Sequence, residues 1–421
     1  MSEPHVTLPH RYRNAGRARR QFGALADRFG IALLRGDPLA DAVVQELSPM
    51  ARTRRMALVD QAVERGIQKT TPPSLRTLLA VVEQEPTWLD WDRLRRGALA
   101  YQRLGLAKIP ILISISLMRG YHSSAVNKPL TFTARLDAMA RKRLGTTGQY
   151  LHDVAQVGGM RRWGRGFKET IKVRLLHAHI RHMLLQSPKW RCQDWGTPLN
   201  QADLCTTGLA FSYAVLLGAR QMGFRFSTDE AEDILHLWRY VSALMGVEDA
   251  LQWATEADAR RLSDLIDMTQ PGADEWSRKL AQALRAVPVE VASSRPTIPS
   301  WLGPAWQHYL DGLTRAFNGD PIADDLGIPR TRWTASLAVT RAIVGAVERV
   351  RARVPGATWA MTVTGNRLFA RAVAETLGDD RTPTTPPSRL PGEHRVASSW
   401  LPPGDLSAAK RREGTLRDLL R

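Results

Sequence analysis

Apolar residues recur at helical spacing along almost the whole of this 421-residue chain, while alternating β-branched runs bounded by tight turns are nearly missing. That pattern admits one fold class, all-α. Helix-period segments fall near 22–35, 38–66, 74–83, 90–105, 132–144, 166–187, 200–223, 228–246, 249–267, 273–286, 304–317, 331–352 and 358–377. Several starts are legible. Asp37-Pro38 opens one helix, and Ser227 or Thr228 caps another whose first turn holds Asp229 and Glu230. Pro72-Pro73, Gly158-Gly159 and Pro198 mark breaks.

The spacing divides the chain into an N-terminal arm (1–29), a core (30–290), a linker with a C-terminal helical pair (291–377), and a tail (378–421) rich in Pro, Ser and charge. Residues 287–303 read as a connector between core and pair. The 13 tryptophans read as core filling and helix ends. No repeat at solenoid spacing occurs.

Within this helical frame, residues 167–186, FKETIKVRLLHAHIRHMLLQ, carry the most chemistry. Arg174, His177 and Arg181 fall at i, i+3 and i+7, one imidazole between two guanidiniums. The neighbouring stripe is apolar: Val173, Leu176, Ile180 and Leu184. An imidazole on an apolar face beside fixed cations suits a haem, with His177 as iron ligand and Arg174 and Arg181 meeting the propionates. A satisfied core histidine between two solvated arginines is the plainer alternative. A zinc site from His177, His179 and His182 fits less well, because His177 and His179 point to nearly opposite sides and no HExxH accompanies them.

Composition narrows the function classes. Two cysteines, Cys192 and Cys205, cannot form a disulfide framework, which favours a reducing compartment and a cytoplasmic protein. Arg19-Arg20 before Phe22 only superficially resembles a twin-arginine signal, since Asp27 and Arg28 interrupt the apolar core. No apolar run reaches the ~20 residues of a membrane span; the longest end at Met118 and run from Gly208 to Ala219. The net charge of +18 raises nucleic acid and anionic membrane as partners. Residues 141–191 alone hold 12 Lys/Arg against Asp153 and Glu169. No helix-turn-helix is recognisable, so specific nucleic-acid binding is not expected, while peripheral membrane contact stays open. The phosphate loop, the GxSxG elbow and a strand-embedded GxGxxG are all missing, which disfavours kinase, hydrolase and dehydrogenase classes.

The order of the segments adds a further constraint. RGDPLAD near residue 35 is followed by PPSLRTLLAVVEQEPTWLD, GYHSSAVNKPLTFTARLD, RLGTT at Arg143–Thr147, RLLHAHIRH at Arg174–His182, TPLNQADL, and LWRYVSALMGV ending at Val247. Over residues 30–290 this sequence resembles the latex-clearing proteins (rubber oxygenases) and the MpaB-like oxygenases. The resemblance implies a globin-like helical core carrying haem b, with dioxygen as co-substrate and an apolar substrate, an isoprenoid among the candidates. His177 would be the axial ligand, with Arg174 and Arg181 close to the haem. Arg143, Thr146 and Thr147 would lie on the distal side, Arg143 and Thr147 acting on oxygen.

Two departures are visible. Rubber-cleaving members carry a Lys where this chain has Thr146, and a distal Glu whose place falls near Asn127; only Asp137 is acidic between Arg119 and Arg143. Haem binding therefore carries over better than cleavage, and hydroxylation or epoxidation of a smaller apolar molecule is the expected chemistry. A haem-based gas sensor without turnover and a basic nucleic-acid-binding protein are the rivals from other classes.

Overall fold

The computed structural model describes residues 6–133, 136–295 and 299–378. Every regular element among them is a helix. The predicted helix starts that rest on capping chemistry are in place. Asp37 accepts from Ala40 N ahead of Pro38–Leu47, and Ser227 with Glu230 forms a reciprocal capping box on Thr228–Leu244. A second box, Thr255 with Asp258, starts Glu256–Thr269, later than the periodicity at 249 suggested.

Three expectations are corrected. Residues 38–66 form two helices, Pro38–Leu47 and Arg52–Arg65. The segment 287–303 is not all connector, because helix Glu275–Ser293 runs on through Pro288. The helix expected to stop at 144 extends from Leu136 to Val154. Its glycines do not break it; they let a neighbour approach. A Cβ on Gly145 would stand 2.7 Å from the Leu377 side chain, and one on Gly148 2.9 Å from that of Val373, both on helix Ala357–Leu377.

The core has a large apolar cluster built from Leu33, Leu75, Leu79, Tyr101, Ile171, Trp238 and Trp253, among many others, and a smaller one around Ile113, Met118, Leu280, Leu284 and Leu310. Its tightest seam joins Trp91–Arg103 to Thr228–Leu244. There a Cβ on Gly97 would lie 2.1 Å from the Asp233 carbonyl oxygen, and Arg93 and Arg96 both donate to the buried Asp233 carboxylate. The apolar run ending at Met118 lies in a helical stretch, Lys108–His122, whose middle, Leu112–Leu117, is π-helical. Gln201–Gln221 is long and apolar enough to cross a membrane, although it is interrupted at Ser212 and 67% of its apolar window is buried in the protein. The N-terminal helices join the same core through Phe22 and Phe29, and Arg11 is buried on Asp203 at 2.7 Å. Tryptophan is not confined to the core. Trp301 and Trp359 are largely exposed.

Candidate active site

The helix Arg165–Gln186 holds the predicted stripe, and its rotation about its own axis is set by two ion pairs. Arg174 Nε and Nη2 donate to Asp37 at 2.6 and 2.9 Å, and its Nη1 donates to the Leu244 carbonyl at 3.1 Å. Arg181 Nε donates to Asp41 at 2.8 Å, its Nη1 to the Leu199 carbonyl at 2.7 Å, and its Nη2 lies 2.7 Å from Asp41. Asp37 and Asp41 sit one turn apart at the start of Pro38–Leu47, so two carboxylates at i and i+4 meet two guanidiniums at i and i+7.

Each rung is backed by a glycine. A Cβ on Gly246 would come within 2.7 Å of Arg174 Nε and Asp37 Oδ2, and one on Gly36 within 2.9 Å of Arg181 Nε and Asp41 Oδ2. This explains two otherwise separate segments, RGDPLAD and LMGV. Both build the clamp on the histidine helix. It also corrects the role expected of Arg174. The charges of Arg174 and Arg181 are met by Asp37 and Asp41. All three Arg174 nitrogens donate to protein oxygens, so that fork is not open to a propionate, whereas Arg181 Nη2, ion-paired with Asp41, is buried without a hydrogen bond.

His177 lies between the two rungs. Its ring is half-buried. Its Nδ1 is buried without a hydrogen-bond partner. Burial first, then the Arg181 charge, pushes its pKa down to about 4, partly offset by Asp37. At neutral pH the ring is uncharged, the form that ligates metals. A core histidine held for structure has its nitrogens satisfied, as His236 does by accepting from Asp90 N at 3.1 Å. His177 differs from that pattern.

The Leu136–Val154 helix packs against the histidine helix. Arg143, Thr147 and Tyr150 fall at i, i+4 and i+7, one stripe. Tyr150 Oη and Thr170 Oγ1 are 3.0 Å apart, and Thr170 lies on the His177 stripe, seven residues earlier. Gly166 lies against Asp153 and Val154 while Tyr150 meets Thr170, so the two helices run antiparallel there. Stepping from Tyr150 back to Thr147 and Arg143 therefore runs alongside the step from Thr170 forward to His177. Arg143, Leu144, Thr147, Val173, Leu176 and Ile180 are all half-buried, so the seam stays partly open.

The remaining expected residues are placed as follows. Thr146 Oγ1 donates to the Arg143 carbonyl at 3.1 Å, within its own helix. Asn127 Nδ2 donates to the carbonyls of Gly120, Tyr121 and Ser123, holding the break between two helices. Asp137 lies in the Leu136–Val154 helix, and its side chain is outside the described residues. The sequence reading missed Tyr121, whose hydroxyl is 3.5 Å from Arg143 Nη2; its place in the GYH segment was the available signal. Among the described residues, no group of three His, Cys, Asp or Glu converges as metal ligands. A haem needs one axial side chain, and the orphaned imidazole on an apolar, partly open seam fits that need.

Together these features define an all-α protein with a half-buried, unsatisfied histidine on an ion-pair-clamped helix. The solved structure of latex clearing protein in its closed state shares the fold, with a TM-score of 0.58 at 21% identity over 80% of this chain and 91% of that one. Residues 106–352 match the sequence model of the catalytic domain described as ER-bound oxygenase mpaB/B'/rubber oxygenase, and the chain belongs to that family. The rubber oxygenase of Streptomyces sp. (strain K30) is 28% identical over 215 residues, 49% of this chain and 51% of the relative, so the match spans about half the relative's length.

Proposed function

We propose that the protein is a haem b-dependent oxygenase that adds oxygen from dioxygen to an apolar substrate. The observation that carries this reading is His177, an unsatisfied neutral imidazole on an apolar, partly open seam. Membership of an oxygenase family supports it. His177 would hold the iron, and Val173, Leu176 and Ile180 would lie against the macrocycle. When bound, the haem would supply dioxygen activation. The chain's own contribution is positional and electrostatic. The Asp37–Arg174 and Asp41–Arg181 pairs fix the orientation of the histidine helix. Arg143 and Thr147 offer N–H and O–H donors on the facing stripe, suited to negative charge developing on an oxygen atom. The half-buried apolar lining excludes bulk water and favours an apolar substrate, with isoprenoids as the first class to test.

Cleaving an alkene into two carbonyls consumes both atoms of dioxygen and needs no added electrons. Inserting one oxygen atom needs two electrons from an outside reductant. Asn127 is neutral with its amide committed to three carbonyls, so it supplies no base for removing a substrate proton. This favours insertion. Incubation with an isoprenoid under labelled dioxygen, with and without a reductant, tests the reading. Reductant-dependent products with one labelled oxygen are expected. Chain-shortened carbonyls labelled in both fragments would replace insertion by cleavage, and no labelled product across an apolar panel would favour a gas-binding protein without turnover.

A further inference from the structure

We propose that the C-terminal hairpin, helices Ser336–Arg353 and Ala357–Leu377, docks on an anionic lipid bilayer. The inference stands apart from the haem reading. Of the 18 residues in the first helix, only Gly345 and Glu348 are buried. Val339, Ile343, Val347, Val350 and Val354 are 60, 59, 45, 59 and 49% exposed. Their spacing of four, four, three and four places them on one stripe about 100° wide, the apolar face that a globular helix normally buries. Trp359, 72% exposed, sits just past the turn between the helices. Exposed tryptophan beside an apolar stripe is characteristic of surfaces that sit at a membrane–water boundary.

Charge selects the occupant. Residues 330–377 contain eight arginines and two acids. Glu348 is buried and paired with Arg351 at 2.9 Å, and Glu375 pairs with Arg371 at 3.1 Å. Arg341, Arg349, Arg353 and Arg367 are exposed on the same hairpin. A second copy would set this basic face against itself. The segment 388–421 is basic too, with seven Lys/Arg against four Asp/Glu. An apolar layer under acidic headgroups complements both the valines and the arginines, whose stems lie along the apolar surface while their heads reach phosphate.

The same face opens into a cavity of about 470 Å³. Leu104, Ala107, Phe224, Ile343, Val344 and Met361 line it, so the exposed stripe forms part of its rim. The volume and the apolar lining suit an aliphatic chain drawn from the bilayer.

The test is flotation of the purified full chain with vesicles of phosphatidylcholine alone or mixed 7:3 with phosphatidylglycerol. Binding to the mixed vesicles should be roughly tenfold tighter or more, and should fall as salt rises. The exposed double variants Ile343→Ser/Val350→Ser and Arg349→Glu/Arg353→Glu should each lose about tenfold of that binding while retaining the wild-type circular dichroism. A lipid-induced blue shift of tryptophan emission should shrink in Trp359→Phe. Equal binding of both vesicle types, or binding unchanged in the two double variants, would overturn the proposal. Sedimentation velocity showing that wild type self-associates and that Ile343→Ser/Val350→Ser does not would assign the stripe to a second copy and overturn it as well.

Discussion

The inner rung of the clamp gives the most quantitative prediction. Asp37 and Arg174 are both almost wholly buried, with two hydrogen bonds of 2.6 and 2.9 Å between them. Asp37→Asn keeps a side-chain oxygen that can still accept from Ala40 N, so the helix cap survives and only the charge is lost. What remains is an uncompensated guanidinium in the interior, and the expected cost is about 3–5 kcal/mol. Asp37→Ala removes the cap as well and should cost roughly 1 kcal/mol more. The double variant Asp37→Asn/Arg174→Met removes the stranded charge and should regain most of the loss, because an apolar replacement for a buried pair is often near neutral. Denaturant unfolding at neutral pH, with the double-mutant cycle completed by Arg174→Met alone, measures all four corners. A loss below about 1 kcal/mol in Asp37→Asn would refute the reasoning, as would additive losses in the double variant. Either would mean that water reaches the pair and that the clamp does not fix the histidine helix.

Three further outcomes follow from particular contacts. Lys108 is buried with no partner for its ammonium, stacked 3.9 Å from the centre of the Phe369 ring, and burial pushes its pKa down to about 7. The unfolded chain then binds more protons than the folded one between that pH and the free lysine value. Stability should therefore rise with pH across pH 7–10, by up to about 1.4 kcal/mol per unit. Lys108→Met should be more stable at pH 7 and should lose that part of the slope, which unfolding titrations at pH 7.5 and 9.5 compare; an unchanged slope contradicts this. Gly97→Ala should destabilise strongly, by about 2 kcal/mol or more, since its Cβ would overlap the Asp233 carbonyl oxygen at 2.1 Å; a shift in melting temperature within error would argue against that close approach. Thr146→Lys in haem-loaded protein should move the electron paramagnetic resonance signal toward low spin if this helix faces the iron, and no change would place the segment elsewhere.

Much of the helical frame was legible because amphipathic spacing and caps are local signals. Asp37, Ser227 and the 166–187 periodicity all led to helix starts within a residue of those observed. Lys108–His122 was not legible as a helix, because its π-helical middle departs from the 3.6 period. The extension of the 132–144 helix through Gly145 and Gly148 was not legible, because the close approach of Leu377 and Val373 involves residues more than two hundred positions away. The site shows the same limit. His177 could be singled out from its own helix. The partners of Arg174 and Arg181 lie 137 and 140 residues earlier, and spacing on one helix cannot show that a guanidinium is already taken. The orphaned Nδ1 of His177 is also a property of packing rather than pattern.

The central claim is that His177 is the axial ligand of a haem, and the absorption spectrum of the purified, haem-reconstituted protein tests it most directly. The account predicts a Soret band with about one haem b per chain in wild type, and loss of most of it in His177→Ala with the helical circular dichroism retained. A wild-type protein that stays colourless after reconstitution, or a His177→Ala protein that keeps its full haem complement, would contradict it.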